Sequence, residues 1–318
     1  MSVSNRSAAR AHPQRESGWL VGVDLGGTKT EVILMDQHSQ TWFRHRRPTP
    51  AGDYGATLSL IAELVADAER QAGVSGLPVG VGIPGSVSRL TGLVKNGNST
   101  WLNGQPLADD LRALLKRPVA VTNDANCLAL SEATDGAGRG FAVVFAAILG
   151  TGCGAGVSVD GRVLTGPNGV AGEWGHNPLP WTPESTLRER PCFCGRFGCT
   201  ETFLSGPGLA ASHRLVHGEV CDSRAIVSAA TDGDARAQAT MATYVDHLAR
   251  GLAGVINLLD PDVIVLGGGL SNISGVVRAV PGQLAQYVFG GECETPVVVA
   301  THGDSSGVRG AAWLGATS

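Results

Sequence analysis

The residues with the plainest chemistry in this chain are a histidine–cysteine set and an aspartate. His176, Cys192, Cys194 and Cys199 are spaced H-x15-C-x-C-x4-C. Three thiolates and an imidazole complete a tetrahedral zinc shell, and with all four positions filled by protein such a metal is structural. Cys-x-Cys is tighter than the usual zinc spacing, which leaves free buried cysteines as the alternative, but the set favours zinc. Glu173 and Glu201 bracket the set. A zinc-fixed loop would therefore present two carboxylates and the free nitrogen of His176, groups suited to hydrogen-bonding sugar hydroxyls. Asp124 stands in PVAVTNDANCLALSE, residues 118–132. An apolar run there ends on Asn123-Asp124 and passes into helical spacing, which holds a carboxylate where it could take a proton from a hydroxyl. A helix cap alone would also explain it.

Glycine turns stand on either side of Asp124 in sequence. Residues 19–36 read WLVGVDLGGTKTEVILMD. A P-loop needs Gly-Lys-Ser/Thr leading into a helix, whereas here the turn leads into Val32, Ile33 and Leu34, so the pattern predicts a β-hairpin. The backbone N–H groups of Gly26 and Gly27 can still hold phosphate, with Thr28 and with Lys29 as a point charge. Asp24 could hold Mg²⁺ through water, since magnesium keeps several of its waters. Residues 141–160, FAVVFAAILGTGCGAGVSVD, repeat the design about 120 residues later, with Gly150, Thr151 and Gly152 in the turn but no Asp or Lys. Two phosphate-holding turns of one design suggest a duplicated domain with its halves facing across a cleft. Gly267-Gly268-Gly269 lacks Rossmann spacing and suits a turn beneath a flat base such as adenine. The turn GIPGS at 82–86 could bring Gly85 and Ser86 to a ligand.

Apolar periodicity supplies the elements that would position these groups. It predicts helices over Thr57–Ala72, Tyr244–Leu259 and Gly307–Leu314, and strands over Pro78–Pro84, Val263–Leu266 and Pro296–Ala300. At 318 residues the chain can form two domains, and 43% hydrophobic with 16% charged residues is a globular composition. A net charge of −4 gives no case for nucleic-acid or membrane binding. No apolar run approaches a bilayer span. Residues 1–18 carry Arg6, Arg10 and Arg15 without an apolar stretch, so they read as a disordered extension and not a secretory signal. Seven cysteines, an odd number with one tight cluster, fit a reducing cytoplasm.

These pieces in this order resemble the ROK family of sugar kinases and sugar-responsive repressors. The match consists of DLGGTK at 24–29, NDAN at 123–126, LGTGCGAG at 149–156, GEWGH at 172–176, the C-x-C-x4-C-T-E run at 192–201 and LGGG at 266–269. The wording of STWLNGQPL, AGEWGHNPLPW, FGGECETPV and HGDSSGVRGAAWL is similar to the bacterial fructokinase branch. The resemblance implies an α/β, actin-like ATPase (ribonuclease H-like) fold with two α/β lobes around a central cleft. The lobes would be 19–122, completed by 303–318, and 123–302 with an inserted zinc-binding sugar loop at 172–201. By position, Asp124 would be the general base, and Asn123, Glu173, His176, Glu201, Gly85 and Ser86 would serve the sugar. Asp24, Gly26, Gly27, Thr28, Lys29, Gly150, Thr151, Gly152, Gly268 and Gly269 would serve the nucleotide. His176, Cys192, Cys194 and Cys199 match the family's zinc ligands. The implied activity is MgATP-dependent phosphorylation of the 6-hydroxyl of fructose, or of another hexose such as mannose, glucose or N-acetylglucosamine, by a cytoplasmic homodimer. A sugar-sensing repressor would need an N-terminal helix-turn-helix that 18 residues with Pro13 cannot make.

Overall fold

The structure, a computed structural model, describes residues 18–316, so apart from Gly18 the expected N-terminal extension lies outside the described residues. β1 (Trp19–Leu25) and β2 (Lys29–Asp36) pair antiparallel around a turn in which the Gly26 N–H donates to the Lys29 carbonyl at 3.0 Å. This is the hairpin the sequence predicts. β3 (Thr41–Pro48) joins the β2 edge, and β4 (Val79–Ile83) runs parallel to β1. β5 (Ser86–Val87) and β6 (Val94–Lys95) form a small separate pair, and β7 (Val119–Asn123) completes the order β3-β2-β1-β4-β7. The second sheet repeats this plan. β8 (Val143–Leu149) and β9 (Cys153–Val159) form its hairpin, β10 (Arg162–Val163) adds to the edge, and β11 (Val263–Gly267) and β12 (Val297–Val299) follow in parallel. Its order is β10-β9-β8-β11-β12, the same succession of edge strand, hairpin and two parallel strands.

β3 carries no sequence signal because Arg44, His45, Arg46 and Arg47 break its apolar pattern. It is an exposed edge strand, where charge discourages pairing with another chain. α1 (Tyr54–Ala72) buries Leu60, Ile61, Leu64, Val65 and Ala68 against the first sheet. It starts before the predicted Thr57 because Asp53 caps it by accepting from the Ala56 N–H at 2.9 Å. α2 (Leu107–Leu115) precedes β7, and α3 (Asp124–Asp135) follows it directly. Between the sheet-two strands lie α4 (Glu184–Arg188), α5 (Glu201–Leu204), α6 (Gly206–His217), α7 (Ser223–Thr231) and α8 (Ala235–Leu259). α8 begins well before the predicted Tyr244, because Asp234 caps it through the Ala237 N–H at 2.7 Å. α9 (Ser274–Ala279) and α10 (Pro281–Leu284) lead to β12, and α11 (Ser306–Ala316) closes the described chain.

α3 and α11 pack together between the two sheets. A Cβ on Gly80 of β4 would stand 1.8 Å from the Ala311 carbonyl oxygen of α11. A Cβ on Gly310 would stand 1.8 Å from the Cys127 carbonyl oxygen of α3. Backbone therefore lies on backbone at these crossings, which only glycine permits. α11 is tied to the end of α3 by Glu132, fully buried, which accepts from Thr301 N–H and Ser306 Oγ, each at 2.9 Å. Among the described residues no helix is long and apolar enough to cross a membrane.

Candidate active site

β7 runs parallel to β4 and ends at Asn123, so Asp124 opens α3 where the first sheet meets the cleft. Asn123 is the capping residue: its Oδ1 accepts from the Ala125 N–H at 2.8 Å, and its Nδ2 donates to the Gly85 carbonyl at 2.9 Å. Asp124 is thereby released from sole duty as a cap, although its Oδ1 also accepts from Ala125 N–H at 2.8 Å. Asp24, near the end of β1, lies beside Gly82 of β4 in register. It is also close to α11, since a Cβ on Gly307 would stand 3.2 Å from Asp24 Oδ2.

Asp24 and Asp124 line one cavity of about 300 Å³ together with Gly26, Gly27, Gly268 and Asp304. Burial first, then the charges of Asp124 and Glu31, push the Asp24 carboxyl up to about 7, against a smaller opposing pull from Arg46 and Lys29. Asp124 has solvent access along the cleft, yet protein atoms crowd its carboxyl closely enough to raise its pKa. The Ala125 N–H opposes that rise, and the charge of Glu173 adds to it. Two carboxylates sharing one hollow suit a cation between phosphate and protein, which would relieve their repulsion.

The remaining turn residues divide between two neighbouring hollows. Gly150, Thr151 and Gly269 line a cavity of about 570 Å³ with Gly206, Ser223 and Arg224. Thr28 and Lys29 line one of about 260 Å³ with Asp24, Glu31, Arg46 and Asp304. Gly268, at φ +84°, could carry no side chain, because a Cβ would stand 2.5 Å from the Leu149 carbonyl oxygen. Glu201 reaches the second hairpin turn: its Oε2 accepts from the Cys153 N–H at 3.0 Å. That Oε2 would stand 2.8 Å from a Cβ on Gly152. Ser86 Oγ and Ser99 Oγ are buried without a protein hydrogen-bond partner, and Ser99 Oγ packs under Gly27.

The histidine–cysteine set converges. One ligand atom from each of His176, Cys192, Cys194 and Cys199 lies within 4.8 Å of the others, and all four can hold a metal ion together. Cys192 Sγ is 3.6 Å from His176 Nδ1, and Cys194 Sγ is 3.6 Å from Cys199 Sγ. The cysteines are all free thiols. His176 turns Nδ1 to the cluster, which leaves Nε2 to the other side. His176 and Glu173 line a broad hollow of about 840 Å³ with Trp174 and Thr200. Glu173 also lies near enough to act on Asp124 by its charge.

Sequence reasoning did not name Asn98, Asp304 or Gly307 in the cleft, nor Ser223 and Arg224 in the second cavity. The polar loop around Asn98 carried a signal in its asparagines and tryptophan. Asp304 and Arg224 carried none, since each is a single charge at the start of a helix.

Comparison with known proteins shows the family. The chain is 39% identical over 297 residues to an N-acetylgalactosamine kinase, AgaK, from Shewanella sp. (strain ANA-3), covering 92% of this chain and 96% of that one. It is 37% identical to an N-acetyl-D-glucosamine kinase from Salmonella paratyphi A, covering 92% and 98%. A crystal structure of a ROK family glucokinase from Streptomyces griseus in complex with glucose and AMPPNP superposes with a TM-score of 0.76 at 28% identity, covering 93% of this chain and 99% of that one. The family model described as "ROK family" matches residues 20–317, and over that span the chain belongs to the ROK family.

Proposed function

We propose that the chain is an ATP-dependent hexose kinase that phosphorylates the 6-hydroxyl of an N-acetylated hexosamine. The observation that carries the kinase reading is the pair Asp24 and Asp124 facing one cavity with the Gly26-Gly27 turn and Gly268. Phosphoryl transfer asks for positioning and charge neutralisation more than covalent chemistry, and this cavity offers both. Asp124 takes the proton of the sugar hydroxyl as that oxygen attacks the γ-phosphorus, and ADP leaves. Desolvation strengthens Asp124 as a base, and the Ala125 N–H fixes one of its oxygens. Gly27, Thr28, Thr151 and Gly152 would present backbone and hydroxyl donors to phosphate, the Gly26 and Gly150 N–H groups closing the two turns onto the Lys29 and Gly152 carbonyls, while Gly268 and Gly269 would border the base. Bound Mg²⁺ neutralises phosphate charge, and Asp24 would hold it through water. The His176, Cys192, Cys194 and Cys199 set suits a structural zinc that keeps Glu173 and His176 Nε2 toward the sugar. The packing of α11 on β1 and β4 supports the division into lobes 19–122 with 303–318, and 123–302.

The sugar assignment is supported by the two kinases of N-acetylated sugars that match over nearly their whole length. They favour an N-acetylhexosamine over the fructose that the four fructokinase-like stretches suggest. Fructose remains the second reading on those stretches. A coupled ADP-release assay with MgATP against N-acetylglucosamine, N-acetylgalactosamine, glucose, mannose and fructose separates them. Preference for an N-acetylated sugar, lost in Asp124→Asn, is the expected result. Preference for fructose restores the fructose reading. No turnover with any of the five, in metal-replete protein, overturns the kinase reading.

A further inference from the structure

α6 ends on His213-x3-His217, and the loop that follows carries Glu219 and Cys221 before α7 begins at Ser223. None of these four residues lines the hollows described above. One ligand atom from each of His213, Glu219 and Cys221 lies within 4.8 Å of the other two. His213 is 3% exposed, and its Nδ1 is 2.8 Å from Thr240 Oγ1. The Thr240 hydroxyl donates its only proton to the Arg236 carbonyl at 3.0 Å. Nδ1 is thereby held on the Thr240 side, and Nε2 is the ring nitrogen turned to Glu219. Nε2 lies 3.5 Å from Glu219 Oε2, with the Cys221 thiol beside both. A metal ion placed among them would meet an imidazole nitrogen, a carboxylate oxygen and a thiol sulfur at once.

We infer that His213, Glu219 and Cys221 form a second metal site, for a divalent ion of the zinc class. Imidazole, carboxylate and thiolate are the donor types such an ion takes, and Thr240 is the outer partner that orients the ligating histidine. The fourth position is left to water, and His217, one helical turn on with its ring centroid 4.8 Å from that of His213, borders the site. On binding, Cys221 loses its thiol proton to solvent, and His213 keeps its Nδ1 proton on Thr240. The site ties the end of α6 to the start of α7. Ser223 and Arg224, just beyond Cys221, line the cavity that holds Thr151 and Gly269, so the metal fixes the segment that forms one wall of it.

The test is metal content per chain, by elemental analysis of full-length protein loaded with zinc and desalted. Wild type should hold two zinc ions, and Cys221→Ser and His213→Gln should each hold one. Cys221 is partly exposed, so its serine variant keeps the question open even if His213→Gln fails to fold. Loading with cobalt adds an independent reading: Cys221→Ser should lose one thiolate's share of the charge-transfer absorption and keep the rest. A wild-type content of one or none overturns the site. So does a second zinc retained in Cys221→Ser, in which case His213 and Glu219 are an ion pair and the metal lies elsewhere.

Discussion

At the residue scale, the question is what an aspartate at a strand–helix junction does. Asn123 already satisfies the first turn of α3, so the carboxylate of Asp124 is not needed for capping alone. Asp124→Asn keeps the shape and removes the base. It should lower kcat by about 10² to 10⁴ with a much smaller change in the sugar KM. Single-turnover and steady-state assays check this, and wild-type kcat in the variant would remove Asp124 from its role. The same carboxylates set the pH profile. Both are raised by burial, Asp24 to about 7, and each is ionised only above its raised value. The required form is the ionised one, so kcat/KM for MgATP should fall as pH drops through about 7, well above the range of an ordinary aspartate. The limb belongs to the pair and not to one residue. A flat profile down to pH 5 would contradict the shared hollow.

At the scale of elements, glycines and one loop hold the site in place. Gly80→Ala would drive a methyl into the Ala311 carbonyl and lift α11 from β4. A loss of about 3 kcal/mol is expected, read as a lower denaturation midpoint at unchanged m. Gly282→Ala, where a Cβ meets nothing within 4 Å, is the control and should change little. The loop prediction concerns Cys192. On the proposed zinc site, Cys192→Ser should lower the metal content and raise the sugar KM by about tenfold or more, while the ATP KM moves less. This follows from position, since His176 and Glu173 stand beside the cluster and Thr151 and Gly269 line a different cavity. Equal changes in both KM values would point to a general loosening of the lobe instead.

At the scale of the whole molecule, the cleft between the two sheets concentrates like charge at a cost in stability. Asp24 has a folded-state pKa near 7 against an ordinary 3.8, so between those values the folded chain binds more proton than the unfolded one. Stability therefore falls as pH rises through that window, and it is lowest where Asp24 is ionised. Asp24→Asn should raise Tm at pH 8, by about 1 kcal/mol in stability once its partial solvent access is discounted, and should have no such effect at pH 4. Calorimetry at the two pH values measures this. The same variant should lose activity, so stability and function separate at one residue.

The sequence by itself determined the elements whose signals are local. The two Gly-Thr hairpins, the strand into Asn123-Asp124 and the apolar faces of α1 and α8 are written in adjacent residues, and they sit where their patterns put them. The cysteine spacing named a ligand set, because donor chemistry is a property of residue type. Only the tertiary structure decided what depends on distant segments meeting. β3 is a strand because β2 offers it an edge, against its own arginines. Asp304 and Gly307 reach Asp24 because glycine-to-backbone contact lets α11 lie flat on β4. Asp24 and Asp124 share a hollow, and so perturb each other, because β1, β4 and β7 pair in parallel order, which no stretch of the chain records. His213 turns Nε2 to Glu219 because Thr240, on another helix, holds its Nδ1. Local pattern is read from neighbours in sequence; electrostatics and packing arise from neighbours in space.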